Sequence, residues 1–246
     1  MVKVGIMTGF GINADVELGQ AFELAGAVPE FINVTGLAEK KARLAELQIL
    51  AFPGGFSFGD HLGSGRVLGQ LVKSQLRDEL DAFVARGGLV VGICNGFQTL
   101  VKMGLLPNLD GRWTPTVSLI SNEKGLFQDR WVRVCYNEKN TSPWLRGLAE
   151  ADLPIRHGEG RFVTLNETVR QQLQDQNLVA LTYVGENPNG SEDGVGGLTD
   201  PTGRVFGLMP HPEAFLCRVL HPLWRRRASV APLGLKVFEN AVDYWK

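Results

Sequence analysis

The first hundred residues alternate short, mostly apolar runs with segments of helical periodicity, and this alternation limits the fold more than any other feature of the chain. Residues 2–7, 49–52 and 89–93 have the length and composition of strands, and residues 16–26 and 67–85 have those of helices. Strands that are apolar on both faces are buried on both faces, as in a parallel sheet covered by helices. The pattern predicts an α/β fold with a mostly parallel sheet and helices on both of its faces.

Beyond Pro107 the character of the sequence changes. Polar and apolar side chains alternate in residues 116–121, 131–136 and 161–165, which predicts a small antiparallel insertion. Buried strands then return, and the chain closes with an amphipathic helix at residues 233–245. No internal repeat and no long linker divides the chain, so we expect a single domain over residues 1–246. The remaining predicted elements are strands at 30–34, 177–184, 194–198 and 204–209 and helices at 37–47 and 95–103.

Composition argues against several classes of protein. The formal net charge is -1, whereas proteins that bind nucleic acids or anionic membranes usually carry a basic excess. No apolar run approaches the roughly 18 residues of a membrane span, and the N-terminus lacks the apolar region of a signal peptide. Cys94, Cys135 and Cys217 form neither a disulfide framework nor a zinc motif. We therefore expect a cytoplasmic protein without a metal, nucleic-acid or membrane ligand.

The segment that most strongly indicates a reaction is residues 92–96, Gly-Ile-Cys-Asn-Gly. It lies where an apolar strand ends and a helix begins. A nucleophile on such a tight turn stands clear of the sheet in a strained conformation, and close chain packing leaves room only for small residues such as Gly92 and Gly96. The helix N-terminus would favour the thiolate of Cys94, and the amide of Asn95 would point at a developing oxyanion. The alternative is a buried structural cysteine, which is how we interpret the other two cysteines.

A thiolate needs a partner that moves protons, and His211 stands out among the four histidines. Pro210 and Pro212 flank it directly after a predicted strand. Prolines favour an extended chain, in which residues two apart face the same way. Glu213 could then accept a ring N–H of His211 and set its tautomer, as the acid of a triad does. Without a cysteine elbow in the same chain, His211 would be interpreted as a loop histidine beside a solvated glutamate. Because the elbow is present, His211 is the predicted base.

A second donor to the oxyanion is expected from a loop next to the elbow strand. Gly54 and Gly55 end the strand at residues 49–52 and supply amides without side chains for that role. A plain glycine turn would have the same sequence.

Taken in order, Pro53-Gly54-Gly55, the elbow with Gln98, and residues 210–213 resemble the class I, triad-type glutamine amidotransferases. Asn95 in the elbow, residues 56–60 (Phe-Ser-Phe-Gly-Asp) and residues 157–162 (His-Gly-Glu-Gly-Arg-Phe) narrow this resemblance to the glutaminase component of phosphoribosylformylglycinamidine synthase. The resemblance covers nearly the whole chain. The combination of motifs is specific, although each motif alone is not.

This resemblance implies a flavodoxin-like amidotransferase fold and hydrolysis of glutamine through a γ-glutamyl thioester on Cys94. It implies that Gln98 helps to seat the glutamine, and that amides around Gly55 and Asn95 form the oxyanion hole. Ammonia would pass to a separate synthetase subunit, and the implied partners also include a small accessory subunit. ATP and magnesium would belong to the synthetase, since this chain has no phosphate loop and no cofactor is expected in it.

Other signals are weaker. Residues 9–14 fit the dinucleotide pattern G-x-G-x-x-A, but the acidic residue that should end the second strand is missing. Residues 157–161 could be an acid–base cluster or a plain hairpin, and the resemblance favours a role in gating or at the synthetase interface. Residues 224–227, Trp-Arg-Arg-Arg, form a basic patch of the kind that is commonly a solvated face. His61 and His221 are expected to be surface or structural residues.

Three alternative functions are compatible with parts of this pattern. A DJ-1/PfpI-like cysteine hydrolase also carries a cysteine on an elbow, although Gln98 and the late His-Pro-Glu run favour glutamine as the substrate. A non-catalytic regulatory homologue is disfavoured by the intact Cys94, His211 and Glu213. Another class I amidotransferase subunit would share the same site and differ in its partner.

Overall fold

The computed structural model describes residues 1–39, 41–226 and 231–246, and these residues form eleven strands, six α-helices and several short 3-10 turns. The strands are β1 Lys3–Thr8, β2 Val28–Asn33, β3 Ile49–Phe52, β4 Leu89–Ile93, β5 Val117–Ile120, β6 Gln128–Tyr136, β7 Glu150–His157, β8 Arg161–Thr164, β9 Val179–Tyr183, β10 Val195–Thr199 and β11 Val205–Leu208. The helices are α1 Asp15–Leu24, α2 Val34–Glu39, α3 Arg66–Ala85, α4 Asn95–Lys102, α5 Glu167–Asp175 and α6 Leu233–Asp243.

Within the described residues, nine strands form one sheet in the order β2-β1-β3-β4-β11-β10-β9-β6-β7. The five strands from β2 to β11 are parallel to one another, and every pair from β11 through β10, β9 and β6 to β7 is antiparallel. The connections β1–β2 and β3–β4 run in opposite directions along the sheet, so right-handed crossovers place α1 and α3 on opposite faces. The α/β fold with helices on both faces of a mostly parallel sheet is confirmed.

The connections between the strands reverse direction along the sheet at β1 and β3, and this reversal opens a crevice. β1 lies between β2 and β3, and chains that leave neighbouring parallel strands in opposite directions open a crevice at the carboxyl ends of those strands.

β3 and β4 are buried along their whole length, as their unbroken apolar sequence predicts. α1 packs against α6 through an edge-to-face contact of Phe22 with Phe238, whose ring centroids are 5.0 Å apart. None of the described helices is long and apolar enough to cross a membrane.

The antiparallel part of the chain differs from the prediction. β5 and β8 pair in a separate two-stranded sheet, whereas β6, which the sequence groups with them, lies in the main sheet between β9 and β7. The sequence pattern does not predict β7, because Pro154 interrupts it and a proline cannot donate to a strand ladder. β7 tolerates this proline because it is the last strand of the sheet, with a neighbour on one side.

Two helical segments also differ from the prediction. Where the sequence predicts one helix at residues 37–47, α2 ends at Glu39 and a 3-10 turn covers Lys41–Glu46. The buried side chains Leu44 and Leu47 are three residues apart, which is the repeat of a 3-10 helix. The sequence pattern also misses α5, although Asn166 gives a start signal: its side chain accepts a hydrogen bond of 3.0 Å from the Val169 amide as an N-cap.

The N-terminus of α4 is pressed against the sheet. A Cβ atom built on Gly96 would lie 1.9 Å from the carbonyl oxygen of Phe52 in β3, and one built on Gly92 would lie 2.6 Å from the carbonyl oxygen of Gly96. Both obstacles are backbone atoms, which cannot rotate away as a side chain can. The two glycines flanking Cys94 are therefore a packing requirement of the turn between β4 and α4.

Replacing Gly96 with alanine should destabilise the whole protein, because the methyl group has to push α4 away from β3. We expect Gly96→Ala to lower the free energy of unfolding by roughly 2–3 kcal/mol or more, measured by urea denaturation. Gly36→Ala is the matched control: a Cβ at Gly36 in α2 meets no atom within 4 Å, so this variant should be as stable as the wild type or slightly more stable. Equal unfolding midpoints for the two variants would contradict this account of the turn.

Candidate active site

Cys94 forms the turn between β4 and α4, and its backbone is strained. Its φ of 52° and ψ of -107° lie in a region that non-glycine residues seldom occupy, at a cost of roughly 1–3 kcal/mol. The conformation is held from both sides: the Cys94 amide donates to the Leu208 carbonyl of β11 over 2.8 Å, and the Cys94 carbonyl accepts from the Gln98 amide over 3.0 Å. The elbow geometry is that predicted from the spacing of glycines.

The sulfur of Cys94 lies where two open clefts meet. Cys94 is only 5% exposed, and its Sγ lies 3.6 Å from the carbonyl oxygen of Arg156 in β7. One cleft, of about 210 Å³, extends towards the segment before α3 and the turn after β7. The other, of about 340 Å³, extends towards α1 and the segment after β11. The residues that line both clefts are Gly55, Phe56, Cys94, Phe127 and Arg156.

His211 and Glu213 form a buried pair directly after β11. The ring Nδ1 of His211 lies 2.5 Å from Oε1 of Glu213, and both residues are nearly inaccessible. Because an ionised carboxylate can only accept, Nδ1 carries the proton of this bond. The backbone differs from the prediction: Pro212–Ala214 is a 3-10 turn rather than an extended segment. The contact forms nevertheless, because the turn brings the Glu213 carboxylate back towards the ring of His211.

The charges around His211 favour its protonated form. Burial alone would lower the pKa of this histidine, but the negative charges of Glu213 and Cys94 outweigh it and raise the pKa to about 10. By distance and angle, Nε2 makes no hydrogen bond with a described residue. His211 and Cys94 both lie against Gly54, since a Cβ built there would be 3.0 Å from Cε1 of the histidine and 3.5 Å from Cβ of the cysteine. The arrangement suits a thiolate and an imidazolium that share one cleft.

The glycine loop after β3 borders the same cleft. Gly55 has a φ of +147°, and a Cβ there would lie 2.7 Å from the Gly11 carbonyl oxygen, so this position requires glycine. The loop is fixed by the loop after β1, because the Phe56 amide donates to Gly11 over 2.9 Å and the Asn13 amide donates to Gly54 over 3.2 Å. Asn95 is the first residue of α4, where backbone amides have no acceptor within the helix. Amides at Gly55 and Asn95 therefore flank Cys94.

The side chains of Asn95 and Gln98 are held by other protein groups. The amide nitrogen of Asn95 donates to Asp60 over 3.1 Å and to Oε1 of Gln98 over 3.0 Å. Gln98 in turn donates to the carbonyl oxygen of Glu159 over 2.5 Å. Burial raises the pKa of Asp60 above its ordinary value. This chain of bonds positions the turn after β7 as one wall of the cleft, and the direct role of Gln98 in seating glutamine stays a prediction.

His157 ends β7 and is buried beside this wall. Asn122 donates from its amide nitrogen to the carbonyl oxygens of Leu126 and His157, so its Oδ1 must face the Gly160 amide and Nδ1 of His157, at 2.9 and 3.1 Å. Burial and the nearby charge of His211 lower the pKa of His157 to about 4. A neutral, clamped histidine stabilises the turn and is poorly suited to acid–base work at neutral pH.

Arg156 is the site residue that the sequence analysis misses. Its guanidinium lies 3.0 Å from Glu17 of α1, 3.3 Å from Nδ1 of His211 and 3.8 Å from Glu213. The residue precedes the singled-out segment by one position, but it belongs to β7, the strand that the pattern fails to predict. The sequence analysis could have singled out Arg156 only if it had predicted this strand and the alternation of its side chains.

Several weaker sequence signals belong to residues that are structural or lie at the surface. The loop at residues 9–14 pairs with the glycine loop through a bridge between Ile12 and Gly55. His221 is buried against Trp131, with ring centroids 4.6 Å apart, which is a structural role. His61 is exposed.

The cysteines outside the elbow and the basic patch have no clear functional role. Of the cysteines interpreted as buried, Cys135 is partly exposed and Cys217 is exposed, so the prediction is wrong for Cys217, which lies in an irregular surface segment. The guanidinium of Arg225 lies 5.0 Å from the Trp224 ring, and Arg227 of the basic patch lies outside the described residues. In the described part of the chain, no group of three or more histidine, cysteine, aspartate or glutamate residues could hold a metal ion.

Comparison with known proteins places this chain in a family. The model of the CobB/CobQ-like glutamine amidotransferase domain matches residues 1–245. A phosphoribosylformylglycinamidine synthase subunit PurQ of Dehalococcoides mccartyi is 39% identical over 251 residues, covering 99% of this chain and 97% of that protein. PurQ of Thermotoga maritima is 33% identical over 239 residues, covering 96% and 94% of the two chains.

Solved structures agree. The structure of PurLQS from Thermotoga maritima superposes with a TM-score of 0.78 at 29% identity and covers 100% of this chain and 99% of that chain. The glutaminase domain of Trypanosoma brucei CTPS, with bound acivicin, shares the fold at a TM-score of 0.59 and 16% identity, with 99% and 94% of the chains covered. On these grounds, the chain belongs to the family of CobB/CobQ-like glutamine amidotransferases.

Proposed function

We propose that this chain is the glutaminase subunit of a phosphoribosylformylglycinamidine synthase and that it hydrolyses glutamine to glutamate and ammonia. The observation that carries the proposal is the meeting of a strained cysteine elbow with a buried His211–Glu213 pair in one cleft. The full-length similarity to PurQ subunits of two organisms supports the choice of reaction and pathway. The catalytic unit is the whole chain, residues 1–246, acting as one domain.

The first half-reaction forms a thioester. The Cys94 thiolate attacks the side-chain carbonyl carbon of glutamine, and the amides of Gly55 and Asn95 donate to the oxygen that becomes negative. His211, protonated because of its two anionic neighbours, gives the proton on Nε2 to the departing amide nitrogen. The carbon–nitrogen bond breaks, ammonia leaves, and a γ-glutamyl thioester remains on Cys94.

The second half-reaction restores the enzyme. Neutral His211 now takes a proton from water as the water attacks the thioester carbon, and the same two amides stabilise the second oxyanion. The carbon–sulfur bond breaks, glutamate leaves, and the thiolate returns beside an imidazolium. Glu213 keeps Nδ1 protonated throughout, so that Nε2 is the nitrogen that exchanges protons.

Ammonia would be used by a partner rather than by this chain. The relatives are named as subunits of the synthase, and the structural relative is a complex, PurLQS. We therefore assign ATP and magnesium to a synthetase subunit, and we include a small accessory subunit in the assembly. The described part of the chain has three free cysteines, which fits work in the reducing cytoplasm.

Replacing Cys94 should abolish the glutamine-dependent activity of the complex and leave its ammonia-dependent activity intact. With its synthetase partner, Cys94→Ala should lose glutamine-dependent product formation by roughly 10⁴-fold or more, because neither of the other two cysteines lines the clefts that meet at Cys94. The same complex should still use added ammonium chloride, since the synthetase does not need Cys94. The exposed Cys217→Ala is the matched control and should retain both activities. Wild-type rates of glutamate formation by Cys94→Ala would rule out this mechanism.

Labelling discriminates against a purely regulatory homologue. A glutamine-analogue electrophile such as a diazo ketone should add once, to the peptide that contains Cys94, as detected by mass measurement. Failure to modify Cys94 in the assembled complex would favour a non-catalytic subunit, and equal reactivity towards electrophiles that do not resemble glutamine would favour a general cysteine hydrolase.

The charge of Glu213 should be visible in the pH profile. Because this carboxylate raises the pKa of His211, Glu213→Gln should lower that pKa. The imidazolium is needed to release ammonia, so the alkaline limb of kcat/KM for glutamine should move to lower pH by roughly one unit or more. The loss of kcat should be roughly 10- to 100-fold smaller than that for Cys94→Ala.

The exposed Glu167→Gln, which removes a carboxylate on α5, should leave that limb unchanged. An alkaline limb that stays in place in Glu213→Gln would show that the carboxylate orients the ring without setting its charge.

A further inference from the structure

Arg156 approaches all three proposed catalytic residues from the edge strand β7. Its carbonyl oxygen lies 3.6 Å from Sγ of Cys94. Its guanidinium Nη2 lies 3.3 Å from Nδ1 of His211 and 3.8 Å from Oε1 of Glu213. The same nitrogen forms an ion pair of 3.0 Å with Glu17 of α1. The residue also lines both clefts that meet at the sulfur.

The contact between Arg156 and His211 is not a hydrogen bond. A guanidinium has donors and no acceptor, and Nδ1 of His211 already donates its proton to Glu213. The Arg156 guanidinium and Nδ1 of His211 therefore both face the carboxylate of Glu213 as donors. What Arg156 brings to this position is a fixed positive charge that lies 3.3 Å from the His211 ring and shares both clefts with the Cys94 sulfur, whose charge acts on it. The charge is fixed because arginine stays protonated at all relevant pH values.

We propose that Arg156 and its counter-ion Glu17 set the pH range over which the thiolate–imidazolium pair of Cys94 and His211 exists. A cation at this place favours the thiolate and disfavours the imidazolium, so it moves the whole range to lower pH. Glu17 opposes that effect by partly neutralising the cation. Arg156 is thus a positioning residue that acts through the pair; the inference rests on the proposed roles of Cys94 and His211.

Other ionisable groups face the pair and stay constant in the test. Glu213 contacts His211 from the turn after β11, and His157 of β7 is buried and held neutral. Asp129 of β6 lines the same cleft as His211, and Asp60 and Glu159 line the other. Variants of Arg156 and Glu17 leave these groups in place, so a change in the pH range reports the charge that was altered.

Solvent limits the size of the effect. The side chains of Arg156 and Glu17 are 36% and 47% exposed, and water and salt screen charges at such positions. We therefore expect shifts of roughly half a pH unit to one unit. The shifts should be larger at low ionic strength than in high salt, which an indirect structural effect would not reproduce.

The test measures alkylation of Cys94 by iodoacetamide as a function of pH, in the full chain, with the modified peptide quantified by mass. The reagent is small and uncharged, so the rate follows the thiolate without glutamine or a partner. We expect the midpoint of the profile to rise in Arg156→Met, to fall in Glu17→Gln and to stay near that of the wild type in Arg156→Lys. Opposite shifts from two neighbouring residues identify a charge effect.

Arg133→Met is the matched control. It also removes one arginine from the antiparallel part of the sheet, but its ion pairs are with Asp152 and Glu150, further along β6 and β7. Its midpoint should equal that of the wild type. If Arg156→Met proves too unstable to assay, Glu17→Gln still tests the proposal, because Glu17 is a half-exposed residue of α1.

Two results would overturn the inference alone. One is a midpoint in Arg156→Met and in Glu17→Gln that matches the Arg133→Met control. The other is a raised KM for glutamine in Arg156→Met with an unshifted profile, which would make Arg156 a ligand of the substrate carboxylate. By contrast, if wild-type Cys94 at neutral pH reacts no faster than the exposed Cys217, the proposed function itself fails, and the inference fails with it.

Discussion

The contact of Gly96 with the Phe52 carbonyl oxygen is the constraint on which the site depends. Because α4 begins this close to β3, the chain has to turn within one residue, and Cys94 takes the strained conformation that makes the turn. Parallel strands end at the same edge of a sheet, so the ends of β3, β4 and β11 bring the glycine loop, the cysteine and the histidine segment together. A tight backbone packing requirement thus becomes an arrangement of reactive groups.

Burial and charge act in opposite directions on His211, and their balance decides the chemistry. An isolated buried imidazole would be neutral, because leaving water disfavours the charged form. Two anions at close range reverse this preference and raise the pKa of His211 to about 10, and the proposed mechanism uses the proton that is held there. Glu213 can do this because it is itself buried, so that its charge is little screened by water.

The edge strand β7 contributes more to the site than its place at the end of the sheet suggests. The Pro154 carbonyl accepts a hydrogen bond of 2.8 Å from the His211 amide, and Arg156 lies two residues further along the strand. A proline costs this strand a donor but leaves its carbonyl available. The antiparallel half of the sheet therefore adds a hydrogen bond to the histidine segment that the parallel strand β11 brings to the site.

The sequence by itself determined the features that depend on near neighbours in the chain. Apolar runs identified the central strands, paired glycines identified the turn at Cys94, and prolines around His211 marked the segment after β11. Tertiary structure decided what depends on distant partners: that β6 and β7 join the main sheet, that Pro212–Ala214 forms a turn, and that Arg156 reaches the His211–Glu213 pair. Strand neighbours and ion pairs are chosen by packing between residues far apart in sequence, and a local pattern carries no information about them.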